Sequence, residues 1–86
     1  MMNTIFVLIK CELGAANDVA ADIVDNVPNV SEVYSTSGQY DLIAKFNLDD
    51  VKDVGSFITR TVQVRDKIRE TFTIMTFSPF LPKAEG

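Results

Sequence analysis

An acid, Asp41, stands directly after Ser37-Gly38-Gln39 and Tyr40 in an otherwise apolar run. Gly38 can take the positive φ of a short hairpin connection, and such a turn exposes backbone N–H groups. A carboxylate at that mouth either pairs with a ligand ammonium or makes hydrogen bonds to the turn backbone. Tyr40 either meets a ligand or packs as a core aromatic at strand period two. Thr71 and Thr73 share one face of the last strand, and as β-formers they need no functional reason.

The remaining chemical inventory is sparse. There is no histidine, which removes the commonest general base and metal ligand at neutral pH. Cys11 is the one cysteine. Inside an apolar strand it reads as a small buried hydrophobe, and a lone thiol allows no intrachain disulfide. The sequence has no C-x-x-C, P-loop or dinucleotide fingerprint. The pairs Asp49-Asp50 and Asp18-Asp22 fall on solvated helix faces, so no metal or acid–base role is assigned and no cofactor is expected. Arg65, Lys67 and Arg69 read as a solvated rim, with an intersubunit ion pair as the alternative.

The elements that must position these groups follow from periodicity. Thr4 to Cys11 is a continuous apolar strand, a pattern that implies burial on both faces. Gly14 opens a helix with Ala16, Val19, Ala20, Ile23 and Val27 on one stripe, and Pro28 stops it. Val30 to Tyr34 and Tyr40 to Phe46 make a hairpin. Asp49 or Asp50 can cap a second helix, whose stripe is Val51, Val54, Phe57, Ile58, Thr61 and Val62. Gly55 inside that helix suggests a close packing point against the sheet. Thr71 to Phe77 is the last strand. The order βαββαβ predicts an α+β ferredoxin-like sandwich, sheet order 4-1-3-2, with both helices on one face. Residues 1–78 form the domain and 79–86 a C-terminal tail, in which Phe80 and Leu81 are candidates for docking on a neighbour. The second sheet face is too apolar to meet water, and a face of that size marks an association surface.

Composition narrows the function classes. Eighty-six residues, 47% apolar and 23% charged, make one ordinary globular domain. Eight basic residues stand against twelve acids, net −4, and DNA affinity rests largely on Lys and Arg neutralising phosphates. Direct nucleic-acid binding is therefore not expected. No run approaches the roughly 18 apolar residues of a membrane span, and no signal peptide is visible. A reduced cytoplasmic location is the expectation.

The hairpin residues Pro28, Val30, Val33, Gly38, Tyr40, Asp41, Leu42 and Ile43 resemble the effector-binding (RAM) domain of the Lrp/AsnC family. So does the run Ile68-Arg69-Glu70-Thr71-Phe72-Thr73, with Lys67 where that family often has a glycine. The resemblance covers about residues 4 to 78. It implies a stand-alone effector module without the helix-turn-helix that full-length members carry, related to transcription regulation and not an enzyme. It implies an amino-acid-like ligand at Gly38, Tyr40, Asp41, Thr71 and Thr73. It also implies a homodimer of face-to-face sheets that joins into an octamer or decamer, with full-length regulators as further candidate partners. A zwitterionic ligand needs N–H donors for its carboxylate and an acid or carbonyls for its ammonium; the Gly38 hairpin and Asp41 can supply both.

Two rivals remain at this point. Small ferredoxin-like dimers also host monooxygenases and isomerases, but those usually place His, Trp or Asn in a deep pocket, and this chain has neither His nor Trp. The other rival is a structural partner that co-assembles with full-length regulators. The charge balance generates a first test: the protein should give no sequence-specific mobility shift of DNA at physiological salt, and a specific shift would contradict the reading.

Overall fold

The computed structural model describes residues 3–83; Met1 and Met2 of the expected domain and residues 84–86 of the expected tail lie outside them. The elements run β1 (Thr4–Cys11), α1 (Ala16–Asn26), β2 (Val30–Ser35), β3 (Leu42–Asn47), α2 (Val54–Thr61) and β4 (Ile68–Met75). All strand pairs are antiparallel and the sheet order is β2-β3-β1-β4. This is the expected ferredoxin-like arrangement.

One face of the sheet is covered by both helices. Ile5, Val7 and Ile9 of β1 and Leu42, Ala44 and Phe46 of β3 are buried there, against Val19 and Ile23 of α1 and Ile58 of α2. Phe57 of α2 meets Phe46 edge to face, centroids 5.7 Å apart at 74°, a favoured aromatic geometry. α1 ends where Val27 caps it, donating its N–H to Ile23 O at 3.0 Å.

The cap of α2 falls on Asp53, whose Oδ1 accepts from Ser56 N–H at 3.0 Å, and not on Asp49 or Asp50. The tertiary structure claims those two acids. Asp49 Oδ1 accepts from Asn3 N–H at 2.7 Å, and Asp50 Oδ1 accepts from Asn29 Nδ2 at 3.0 Å. Val51 therefore packs on the core from the preceding turn and not from the helix. The last strand begins at Ile68, three residues earlier than its β-former run suggests, because Ile68 already pairs with Cys11 beyond a register shift at Lys10/Cys11.

The other face is open. Register across all four strands places Tyr34, Ile43, Leu8 and Phe72 in a single row. The next row holds Glu32, Lys45, Phe6 and Ile74, with Lys45 and Glu32 paired at 3.7 Å. Tyr34, Phe72 and Ile74 are 57%, 54% and 41% exposed. The continuous apolar run of β1 thus does not find two covered faces within one chain: Phe6 and Leu8 are only half-buried.

The basic run near β4 is less solvated than expected. Arg65 is half-buried and ties the C-terminal ends of both helices: Nε donates to Thr61 O at 3.0 Å and Nη2 to Asn26 O at 3.4 Å, while Nη1 meets Asp22 at 3.4 Å. A cation there complements two helix dipoles. Arg69 stays exposed.

Lys67 has φ 69, the left-handed conformation that a glycine adopts without strain. The backbone before β4 thus keeps the turn that a glycine would serve there, held by Glu12 N–H donating to Lys67 O at 2.9 Å. Its ammonium lies 3.7 Å from Asp18 in an exposed pair, a type worth about 0–1 kcal/mol, against a left-handed cost of about 1–2 kcal/mol for a residue with a Cβ. Lys67→Gly should therefore melt at or above the parent temperature. Lys67→Ala, which keeps the strain and loses the pair, should melt about 4–8 °C below Lys67→Gly for each kcal/mol of strain relieved. Equal melting of the two variants in calorimetry would refute the strain argument.

Candidate functional site

The connection between β2 and β3 is longer than a tight Ser37-Gly38-Gln39 turn. β3 starts at Leu42, so Tyr40 and Asp41 belong to the loop. Thr36 closes it twice: its N–H donates to Asp41 O at 2.9 Å and its hydroxyl donates to Tyr40 O at 2.8 Å. Gly38 sits at the exposed tip with φ +102, and a Cβ there would touch nothing within 4 Å. Its requirement is conformational and leaves the tip accessible. Tyr40 is half-buried.

Asp41 joins the loop to β1. Its N–H donates to Ile9 O at 2.9 Å, and its Oδ2 accepts from Cys11 N–H at 2.8 Å. The regular β1–β3 ladder ends at Ile9 opposite Leu42, so the carboxylate stands in for the carbonyl that the ladder no longer provides. The acid therefore has a structural task, and its backbone bond runs to the neighbouring strand and not to its own turn. Burial pushes the Cys11 thiol above its ordinary value, and the nearby Asp41 charge adds to the rise. A thiol that keeps its proton is a poor nucleophile, which agrees with the buried-hydrophobe reading.

Thr71 and Thr73 lie opposite Ile9 and Val7, on the helix-covered side of β4. Gln63, just past α2, donates from Nε2 to Thr71 Oγ1 at 2.9 Å. Thr73 lines a shallow groove of about 310 Å³ between α2 and β4, together with Val54, Gly55, Ile58 and Met75. A larger cleft of about 660 Å³ lies between the open sheet face and the tail, lined by Thr4, Phe6, Lys45, Phe77 and Phe80 among others. In the tail Phe80 is 100% and Leu81 79% exposed. Among the described residues no group of three or more His, Cys, Asp or Glu could hold a metal ion.

The expected site residues thus fall into two sets. Gly38, Tyr40 and Asp41 cluster at the hairpin. Thr71 and Thr73 face α2. Thr71, Ile9 and Leu42 share one level of the sheet, but two inter-strand spacings, about 9–10 Å, separate Thr71 from Leu42, with fully buried Ile9 between them. One chain does not gather them around a single pocket. Gln63, the α2–β4 groove and the Cys11 N–H were not legible as site features; the only hint of the groove in the sequence is the glycine within α2.

This geometry generates a second prediction. Asp41→Ala leaves Cys11 N–H without its acceptor and should cost about 1–3 kcal/mol. Asp41→Asn retains an acceptor oxygen and should lose less. The folded thiol ionises above the unfolded one, so the contribution of Cys11 to stability is complete below pH 9.0 and is lost as pH rises beyond it. The midpoint of thiol alkylation against pH should lie above 9.0 and should fall only partly in Asp41→Asn, since burial is the larger cause. A midpoint at the ordinary thiol value would refute the burial.

Known proteins share this architecture. The Lrp/AsnC ligand binding domain family model matches residues 4–85. The HTH-type transcriptional regulator FL11 of Pyrococcus furiosus is 34% identical over 53 residues, which are 62% of this chain and 34% of the regulator. The match thus spans about a third of that regulator's length. The crystal structure of TTHA0845 from Thermus thermophilus superposes with TM-score 0.84 at 31% identity, covering 94% of this chain and all of that one. NMB0573 from Neisseria meningitidis, a transcriptional regulator solved as an L-Met complex, shares the fold with TM-score 0.78 at 14% identity, over 93% of this chain and 53% of that one. A family match over nearly every residue, carried on the βαββαβ sheet described above, makes this chain a member of the Lrp/AsnC ligand binding domain family.

Proposed function

We propose that this domain binds a small amino-acid-like molecule and assembles through its open sheet face, without contacting DNA itself. The observation that carries the reading is the division of the site residues across buried Ile9. Gly38, Tyr40 and Asp41 on one side and Thr71 and Thr73 on the other can serve one ligand only if a second copy brings the missing set. The apolar row Tyr34, Ile43, Leu8 and Phe72 supports a pairing surface, since a stable interface buries about 1,600 Å² in total. Exposed N–H groups at the Gly38 tip and the Asp41 carboxylate suit the two charged ends of a zwitterion. The L-Met complex of a protein with this fold makes amino acids the first class to test. Regulation of transcription then runs through other chains that carry DNA-binding segments, in a reduced cytoplasm.

Two measurements test this. Native mass should show a dimer or a larger closed assembly at micromolar concentration. Phe72→Lys, which places a charge in the middle of the apolar row at an exposed position, should reduce the mass to one chain with unchanged circular dichroism. A thermal-shift screen over all amino acids should find at least one that raises the melting temperature. Asp41→Asn should then weaken that ligand about ten- to a hundred-fold, the worth of a charge-assisted hydrogen bond of about 1.5–3 kcal/mol. A monomeric parent protein, or a full screen without a hit, would overturn the corresponding half of the proposal. Capture of full-length regulators by an assembly that takes no ligand would favour the structural-partner role instead.

A further inference from the structure

Gly55 lies in the first turn of α2 and is exposed. Its backbone is not in the left-handed region, and a Cβ built on it would meet only Asp53 Oδ1, at an ordinary 3.6 Å. The close packing against the sheet that the sequence suggests is therefore not present. Neither conformation nor crowding within this chain asks for glycine, while a glycine in a helix is less favourable than alanine. What the missing side chain does leave is space in the α2–β4 groove. Val54, Ile58 and Met75 give that groove apolar walls, and Thr73 and Gln63 give it neutral hydrogen-bonding groups. No ionisable side chain lines it, and nearby Asp53 is bound to Ser56 N–H. Its volume of about 310 Å³ sits at the lower limit of small-ligand pockets. It suits one side chain and not a helix or strand of a partner.

We infer that this groove receives the uncharged side chain of the ligand and that Gly55 sets how long that side chain can be. The inference rests on the amino-acid-binding reading above and assigns its selectivity to a named position. Thr71, held by Gln63 at the adjoining end of β4, keeps the polar mouth in place. A charged side chain would lose its hydration in the groove without a counter-charge, so acidic and basic amino acids are excluded.

The test is calorimetric titration of the full chain and of Gly55→Ala with L-methionine, L-leucine, L-alanine and L-glutamate, with amide and methyl NMR spectra of the parent protein. The added methyl should raise the melting temperature of the free protein, because nothing in the chain obstructs it. It should weaken L-methionine and L-leucine by roughly ten-fold or more, the scale of one methylene in an apolar pocket, and leave L-alanine unchanged. L-Glutamate should not bind either protein, and L-methionine should shift the Gly55 amide and the Met75 methyl. If Gly55→Ala binds every ligand as the parent does, or if L-methionine moves Gly38 and Asp41 but not Gly55 and Met75, the groove assignment fails and the binding reading survives. If the parent binds none of the amino acids, both fail. A lower melting temperature for Gly55→Ala would show a packing role and overturn the inference.

Discussion

β1 carries large apolar side chains on both of its faces, and one chain can cover only one of them. Ile5, Val7 and Ile9 vanish beneath α1 and α2, whereas Phe6 and Leu8 look out between Ile43 and Phe72. A domain of this length buries only about 60% of the surface that its unfolded chain exposes, and two short helices cannot wrap a four-stranded sheet. The uncovered apolar row is a consequence of size and topology together. Everything proposed about assembly follows from that one geometric shortage.

The same central strand separates the candidate ligand groups. Because Ile9 is fully buried, the hairpin and the threonine pair look into different surroundings although they share a level of the sheet. A site split in this way makes ligand occupancy sensitive to how copies are arranged. That gives a physical route from binding to assembly with no moving part inside the domain. Asp41 stands at the junction, since its backbone and side chain both bind β1. Within the proposed function, a ligand that engages the same carboxylate would compete with, or reinforce, the bond that ends the β1–β3 ladder.

Local conformational cost is distributed unevenly. Lys67 accepts a left-handed backbone that glycine would take more readily, and Glu12 N–H and Asp18 hold it there. Gly55 shows the reverse, a glycine where the chain itself would accept a larger residue. The first mismatch is compensated by contacts within the fold. The second has no compensation within one chain, and this contrast separates a structural position from one that a binding event can explain.

Much of the fold was legible from residue order alone. The helical stripes through Val19 and Ile23 and through Phe57 and Ile58 could face only a common core, and four strand runs interleaved with two helices leave few sheet orders. The family resemblance likewise rested on Gly38, Tyr40, Asp41 and the Thr71-Phe72-Thr73 run. Element ends were not legible in this way. Asp49, Asp50 and Asp53 are equally good caps in sequence, and only distant Asn3 and Asn29 decided which acid was left for α2. The partner of Asp41 was hidden for the same reason: Cys11 lies 30 residues away, and its need for an acceptor arises only where the β1–β3 ladder stops. Periodicity reports which face a residue takes because neighbouring positions fix it. Pairing of single polar groups, the split of the site across Ile9 and the open groove at Gly55 depend on register between distant strands, which only the tertiary structure sets.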